Sequence, residues 1–248
     1  MSLPDWLQEL LPGDAAATWE TISPLVPSGA YLAGGTAIAV HLRHRQSRDL
    51  DFFFHEGTID LDALVERLRA AGPFAITERT AGTLNGVFAE TRVQFLDAGL
   101  EKPQRRLEPT TPVCGIQVAG IGDLLAMKLS TIAGRAQLRD YFDVMTIEQQ
   151  TGRTVEEGLA LFLARYQPVH AESAITPILL ALGYLEDVAD DPFLPLERDE
   201  IVHYWQKRQP QIVAAVERYG ISRLPQLDPA SLANDSPPIR PRGPELEL

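Results

Sequence analysis

Two aspartates separated by one residue, Asp49 and Asp51, open the run DLDFFF at residues 49–54. In a strand that spacing puts both carboxylates on one face and turns Leu50 to the other. Adjacent carboxylates repel one another unless a cation lies between them. Magnesium prefers one or two carboxylates, with phosphate oxygens and water completing its shell. Upstream, Gly34 and Gly35 close a short apolar segment and open a helical one. Bare backbone there lets a ligand approach closely, and the unpaired N–H groups of a first helical turn attract phosphate. A glycine corner for a triphosphate, followed by paired aspartates for its metal, is a coherent site for phosphoryl or nucleotidyl transfer. Either feature alone is commonplace: Gly-Gly serves many turns, and Asp-x-Asp on an open strand is often only solvated. Their order, strand–GG–helix–strand, makes the case.

Cationic side chains are clustered. Arg43, Arg45 and Arg48 lie in residues 43–48, Lys102, Arg105 and Arg106 in 102–106, and Lys128, Arg135 and Arg139 in 128–139, with no acid in any window. If these windows meet in the fold, they give a positive pocket suited to a polyphosphate. The alternative, which the clustering alone favours, is three separate solvated faces. Lys128, Arg135 and Arg139 are spaced by 7 and 4, so a continuous helix would carry them on one face; Gly134 is the residue that would interrupt it. A cationic stripe can clamp phosphates and stabilise a departing pyrophosphate. Otherwise it is an ordinary solvated face, with Asp143 paired to Arg139.

Three segments, AGGTAIAVHLRHRQSRDLDFF, TLNGVFAETRVQFL and KLSTIAGRAQLRDYFDV, together resemble the DNA polymerase β-like nucleotidyltransferases. More narrowly, they resemble the AbiEii/AbiGii-type toxins of bacterial toxin–antitoxin and phage-defence systems. The resemblance covers roughly residues 28–165. It implies that Gly34 and Gly35, with Thr36 and Arg48, hold the triphosphate, and that Asp49 and Asp51 bind Mg²⁺ (or Mn²⁺). It further implies that Lys128, helped by Arg135 and Arg139, contacts the nucleotide phosphates. Asp140, in RDYFDV, is either near the reacting hydroxyl or in a structural ion pair. The implied reaction transfers an NMP from an NTP to an acceptor, with RNA, and the 3′ end of tRNA in particular, as the implied acceptor and an antitoxin as the implied protein partner.

One position departs from the family pattern. Many such enzymes place a third carboxylate on a later strand, here TRVQFLD, and the corresponding residue is Gln94. A neutral amide cannot deprotonate a hydroxyl. Asp97, three residues on, points to the opposite face of a regular strand. Two further readings follow: the same fold modifying a protein or transferring a phosphoryl group, or a catalytically degenerate nucleotide-binding module. Other chemistry finds little support. The five histidines show no H-x-x-x-H or H-E-x-x-H spacing for zinc, and neither a P-loop nor a G-x-S-x-G motif is present. His44, between Arg43 and Arg45, either touches substrate or, as is commoner for such a residue, is merely exposed, and Cys114 is expected to be a buried small residue.

These residues must be held by elements that the hydrophobic pattern also outlines. Residues 14–23 predict a helix with Asp14 as N-cap; AYLAGG predicts a strand, TAIAVHLRH a helix and DLDFFF a strand. DLDALVERLRAA, residues 60–71, is an amphipathic helix stopped by Gly72-Pro73. FAITER, LNGVFAE, TRVQFLD and IQVA predict strands, with the hairpin turn at either Asn85-Gly86 or Glu90-Thr91. From residue 121 the pattern turns helical, through 121–133, 137–150, 154–166, 173–185 and 198–219. The last residues carry six prolines and predict a disordered tail.

The expected fold class is therefore α+β, a polymerase β-like core with a mixed sheet flanked by helices, followed by a helical half. The expected division is a core at 1–120, a helical domain at 121–222 and the tail at 223–248. The chain has 248 residues and a net charge of −12, which argues against nonspecific coating of nucleic acid but not against a local basic cleft. No run approaches the roughly 18 apolar residues of a membrane span, and the N-terminus lacks the pattern of a signal peptide. A lone cysteine excludes an internal disulfide framework and fits a reducing cytoplasm.

Overall fold

The computed structural model describes residues 2–55, 57–99, 104–135 and 137–221. The Pro-rich tail and Lys102 lie outside the described residues. Two short helices, α1 (Asp5–Leu10) and α2 (Ala15–Ile22), precede the strand–helix–strand unit β1 (Tyr31–Ala33), α3 (Gly34–Leu42) and β2 (Leu50–Phe54). Helix α4 (Leu61–Ala71) follows, then β3 (Phe74–Arg79), β4 (Thr83–Phe88), β5 (Thr91–Asp97), β6 (Thr111–Val113) and β7 (Ile116–Val118). The rest is helical: α5 (Ile121–Gly134), α6 (Leu138–Thr151), α7 (Val155–Tyr166), α8 (Ala171–Gly183) and α9 (Arg198–Tyr219).

The strands form one mixed sheet of order β3-β4-β5-β2-β1-β7-β6. β2 runs parallel to β5 and antiparallel to β1, and β1 runs parallel to β7. Along β2 burial alternates, with Leu50, Phe52 and Phe54 inside and Asp51 and Phe53 on the other face. Phe52 stacks on Phe95 at 4.8 Å, locking β2 to β5 beneath the site. The hairpin between β4 and β5 turns at Ala89 and Glu90, so Asn85 and Gly86 lie within β4 rather than at a turn. Gly86 has a packing role instead, since a Cβ there would sit 2.5 Å from the Phe74 ring.

Three local expectations need correction. Asp14 stands at the N-cap of α2, but its side chain makes no capping bond because its backbone is already helical. Cys114 is half-buried, not buried: with Gly115 it makes the two-residue β6–β7 turn in left-handed backbone (φ 43° and 86°), and its carbonyl accepts from Trp19 Nε1. The 128–139 stripe is not one helix. α5 ends at Gly134, Arg135 is extended, and α6 starts only at Leu138.

A single hydrophobic core runs through the sheet and the helical half, from Leu3 to Ile212. α4 contributes Leu61, Leu64, Val65 and Leu68 to it, and Asp60 caps that helix by accepting from the N–H groups of Asp62 and Ala63. α5 packs on α3, α6, α7 and α8, while α6 packs on α3 and α9. α3, the helix opened by the glycines, is thus clasped between the sheet and the helical half. Two buried arginines reinforce the junction. Arg165 pairs with Asp123 and donates to Tyr31 Oη, and Arg153 pairs with Glu108 at 2.9 Å.

Candidate active site

The backbone enters the site at Ala33, the last residue of β1, and turns at Gly34 with φ +69°. That left-handed conformation favours glycine, and a Cβ at Gly34 would lie 2.5 Å from Asp51 Oδ2. Glycine is therefore required twice here, by the turn and by the carboxylate across from it. The N-terminus of α3 has no side-chain cap, which leaves its first N–H groups for a ligand. Thr36, one residue on, is buried. Its hydroxyl donates to the Asp49 carbonyl and lies 2.8 Å from Ser47 Oγ. It fixes the loop leading to the aspartates and does not line the cavity.

Ala33, Asp51 and Gln94 stand in one row across β1, β2 and β5. Asp49 lies just before β2, on the same side as Asp51, and both line a cavity of about 550 Å³ together with Gly34, Gly35 and Gln94. A cavity of that size accommodates a single nucleotide-sized ligand. Asp97 is placed away from it, accepting from the N–H of Gly99. The same cavity is lined by Arg45, Arg48, Lys128, Arg135 and Arg139. Two of the three cationic windows therefore meet, against the expectation of separate faces, even though the chain between Lys128 and Arg139 is not one helix. Arg106 instead covers Tyr31, and Arg43 covers Trp6.

The cations fall into two groups. Arg45 and Lys128 are bound to carboxylates. Arg45 is bidentate to Asp143, at 2.7 and 2.8 Å, while Lys128 Nζ lies 2.6 Å from Asp140 and 2.7 Å from Asp143. His44 Nε2, 2.7 Å from the same Asp143, is buried and stacks on Phe142, so the expectation of an exposed histidine was wrong. Asp143 pairs with these residues and not with Arg139, whose Nε donates to Gln137. Burial opposes ionisation of Asp143, but Lys128 and Arg45 outweigh it and hold the carboxyl well below its usual range. Asp140 is fully buried under Lys128 and does not reach the cavity wall. Arg48, Arg135 and Arg139 form the second group: among the described residues they have no ion-pair partner.

Asp51 tests whether a metal suits this corner. Burial, and then the charge of Asp49, push its carboxyl up to about 6, against the opposing pull of Lys128, Arg92 and Arg135. A buried carboxylate whose charge is opposed by the carboxylate beside it is the kind of donor that a divalent cation relieves. Among the described residues no group of three or more His, Cys, Asp or Glu side chains is placed to hold a metal ion. The donors present thus fit a cation that completes its shell with phosphate and water.

Sequence reasoning missed one part of the site. Asp191, Phe193 and Leu194, from the loop between α8 and α9, also line the cavity. Their signal was an aromatic residue among prolines and acids in DDPFLPLE, which reads as an ordinary loop until the fold brings it to Arg48.

The fold is that of a polymerase β-like nucleotidyltransferase, and its cavity brings together a glycine corner, paired carboxylates and arginines that have no ion-pair partner among the described residues. The sequence profile of the nucleotidyl transferase AbiEii toxin, type IV TA system, matches residues 25–228, and the chain belongs to that family. It is 25% identical over 193 residues to an uncharacterized protein of Aquifex aeolicus (strain VF5), covering 76% of this chain and 87% of that one. In structure it is similar to MenT4, a nucleotidyltransferase toxin of Mycobacterium tuberculosis, with a TM-score of 0.51 and 18% identity over 92% of this chain and 90% of that one. JHP933 from Helicobacter pylori gives a TM-score of 0.49 at 18% identity, over 89% and 97% of the two chains. No described helix is long and apolar enough to cross a membrane.

Proposed function

We propose that this nucleotidyltransferase moves an NMP from an NTP to the terminal hydroxyl of an RNA, the 3′ end of tRNA being the acceptor class that a single compact cationic cavity suits. The observation that carries the reading is the convergence on one cavity of Gly34, Asp51 and three arginines that have no ion-pair partner among the described residues. The N–H groups at the start of α3 and the guanidinium groups of Arg48, Arg135 and Arg139 bind the triphosphate. Asp49 and Asp51 would hold Mg²⁺, which neutralises charge on the phosphate under attack when bound. The acceptor oxygen forms a bond to the α-phosphorus, the α–β anhydride bond breaks, pyrophosphate leaves and the hydroxyl proton passes to water. Arg135 and Arg139 stabilise the charge gathering on that leaving group.

Asp143 acts one layer back. It anchors Arg45 behind Gly35, where any Cβ would collide with the guanidinium, and it anchors Lys128 behind the aspartates. Asp140 serves as the second anchor of Lys128. Family membership also implies a cognate antitoxin that restrains the enzyme in a cell.

The test is a transfer reaction with Mg²⁺ or Mn²⁺, total bacterial RNA and each α-labelled NTP in turn, run beside Asp51→Ala. Label entering one RNA band only with intact Asp51 is the expected result. Label in protein, or label in RNA that survives Asp51→Ala, would overturn the reading.

A further inference from the structure

Resting on that reading of the cavity, the geometry points to Phe193 as the platform on which the nucleobase of the donor NTP stacks. Phe193 is 77% exposed, and no other described phenylalanine is exposed. It is one of the residues that line the cavity. Arg48 sits over its ring at 5.3 Å. That separation is too small to admit a base between them, so the ligand takes the opposite face while Arg48 backs the ring.

The loop is built to hold the ring there. The Phe193 N–H donates to Asp191 Oδ1 at 3.1 Å, and the Leu194 N–H to the Asp191 carbonyl at 3.1 Å. Arg198, in the first turn of α9, ties the start of the loop down by donating to the carbonyls of Leu185 (2.7 Å) and Val188 (3.0 Å). An exposed aromatic ring on a pinned loop retains its apolar face for a partner. Phe53, Leu96, Leu124, Met127 and Leu194 give the cavity an apolar part beside its charged one, and the part of a nucleotide that seeks an aromatic face is its base, while the arginines hold the phosphates. Any base has a π-face, so the platform adds affinity without choosing strictly among NTPs.

The experiment compares binding of Mg-ATP, Mg-CTP and Mg-tripolyphosphate to wild type, Phe193→Ala and Phe193→Trp by calorimetry. Transfer assays then give KM for NTP and for RNA separately. Phe193→Ala is expected to weaken both nucleotides about tenfold or more while leaving tripolyphosphate unchanged. Phe193→Trp is expected to restore nucleotide binding, with its indole fluorescence quenched by the bound base. Equal nucleotide affinity in Phe193→Ala, equal loss of tripolyphosphate, or an effect confined to KM for RNA would overturn the assignment. Wild type that binds neither nucleotide nor tripolyphosphate would overturn the nucleotidyltransferase site itself along with the platform.

Discussion

Asp51 and Gln94 face each other across the parallel pair β2–β5, so the amide occupies the neighbouring position at which a third carboxylate would complete the pair. Both side chains line the cavity beside Asp49. On the proposed reading, the donor set would be two carboxylates and one neutral oxygen, a set that would depend on phosphate to complete a cation's shell.

Gln94→Glu is therefore expected to lower the Mg²⁺ concentration for half-maximal transfer several-fold. It is also expected to reduce the melting temperature of the metal-free protein, because a third carboxylate joins two that already repel. The check is activity against Mg²⁺ concentration beside a thermal melt in chelator. Neither quantity moving would place Gln94 outside the reach of the cation.

Asp51→Asn separates chemistry from folding. Transfer should fall on the order of a thousandfold, about 4 kcal/mol of lost transition-state stabilisation. The metal-free protein should melt higher, since a carboxyl whose folded pKa is raised to about 6 costs the fold when ionised at neutral pH. Each kcal/mol relieved corresponds to about 2–4 °C in a chain of this size. A lower melting temperature would show that the charge is satisfied by neighbours.

Asp143→Ala strands Arg45, Lys128 and His44 without their shared acceptor, all within buried surroundings. The expected loss is about 3–5 kcal/mol, the usual cost of breaking a buried pair from one side. Asp140→Ala should cost less, because Lys128 keeps Asp143. Denaturant unfolding of the two variants measures the difference, and equal losses would mean that the network is not centred on Asp143.

Two buried histidines predict acid sensitivity. Burial lowers the pKa of His41 against its bond to the Ala119 carbonyl, and that of His44 against Asp143, with Arg45 and Lys128 adding to the lowering. Folded, both resist protonation; unfolded, they protonate near 6.5. Their contribution is full above about pH 6.5 and is lost as the pH falls below it. Between about pH 7.5 and 5.5 the wild type should lose more stability than a His41→Gln/His44→Gln variant, because the unfolded chain takes up protons that the folded one resists. Parallel urea midpoints for the two proteins would contradict this.

The sheet core and most helices were legible because their patterns are local: alternation in DLDFFF, the 3.6 period of DLDALVERLRAA, the glycines at a strand end. The glycine corner and aspartate pair were legible for the same reason, as neighbours in sequence. What escaped was set at long range. Asp143 lies 98 and 99 residues from Arg45 and His44, and nothing around any of the three discloses that one carboxylate collects them. Thr36 reads as a ligand in a glycine-rich turn, yet burial makes it a brace. Phe193 lies near no motif and reaches Arg48 only through the packing of α8 and α9. β6 and α1, short and weakly patterned, were also missed.

Arg45, the guanidinium that backs the glycine corner, is braced by a residue synthesised long after it. While a ribosome is still making the first hundred residues, the glycines and both aspartates already exist, but Arg45 and His44 have no counter-charge and α3 has no helical half to lean on. Sheet elements emerging first would therefore carry a donor pocket that is incomplete. On the proposed reading of the cavity this orders events in time: the brace behind the glycine corner is complete only when α6 has been made, well after the glycines and aspartates themselves.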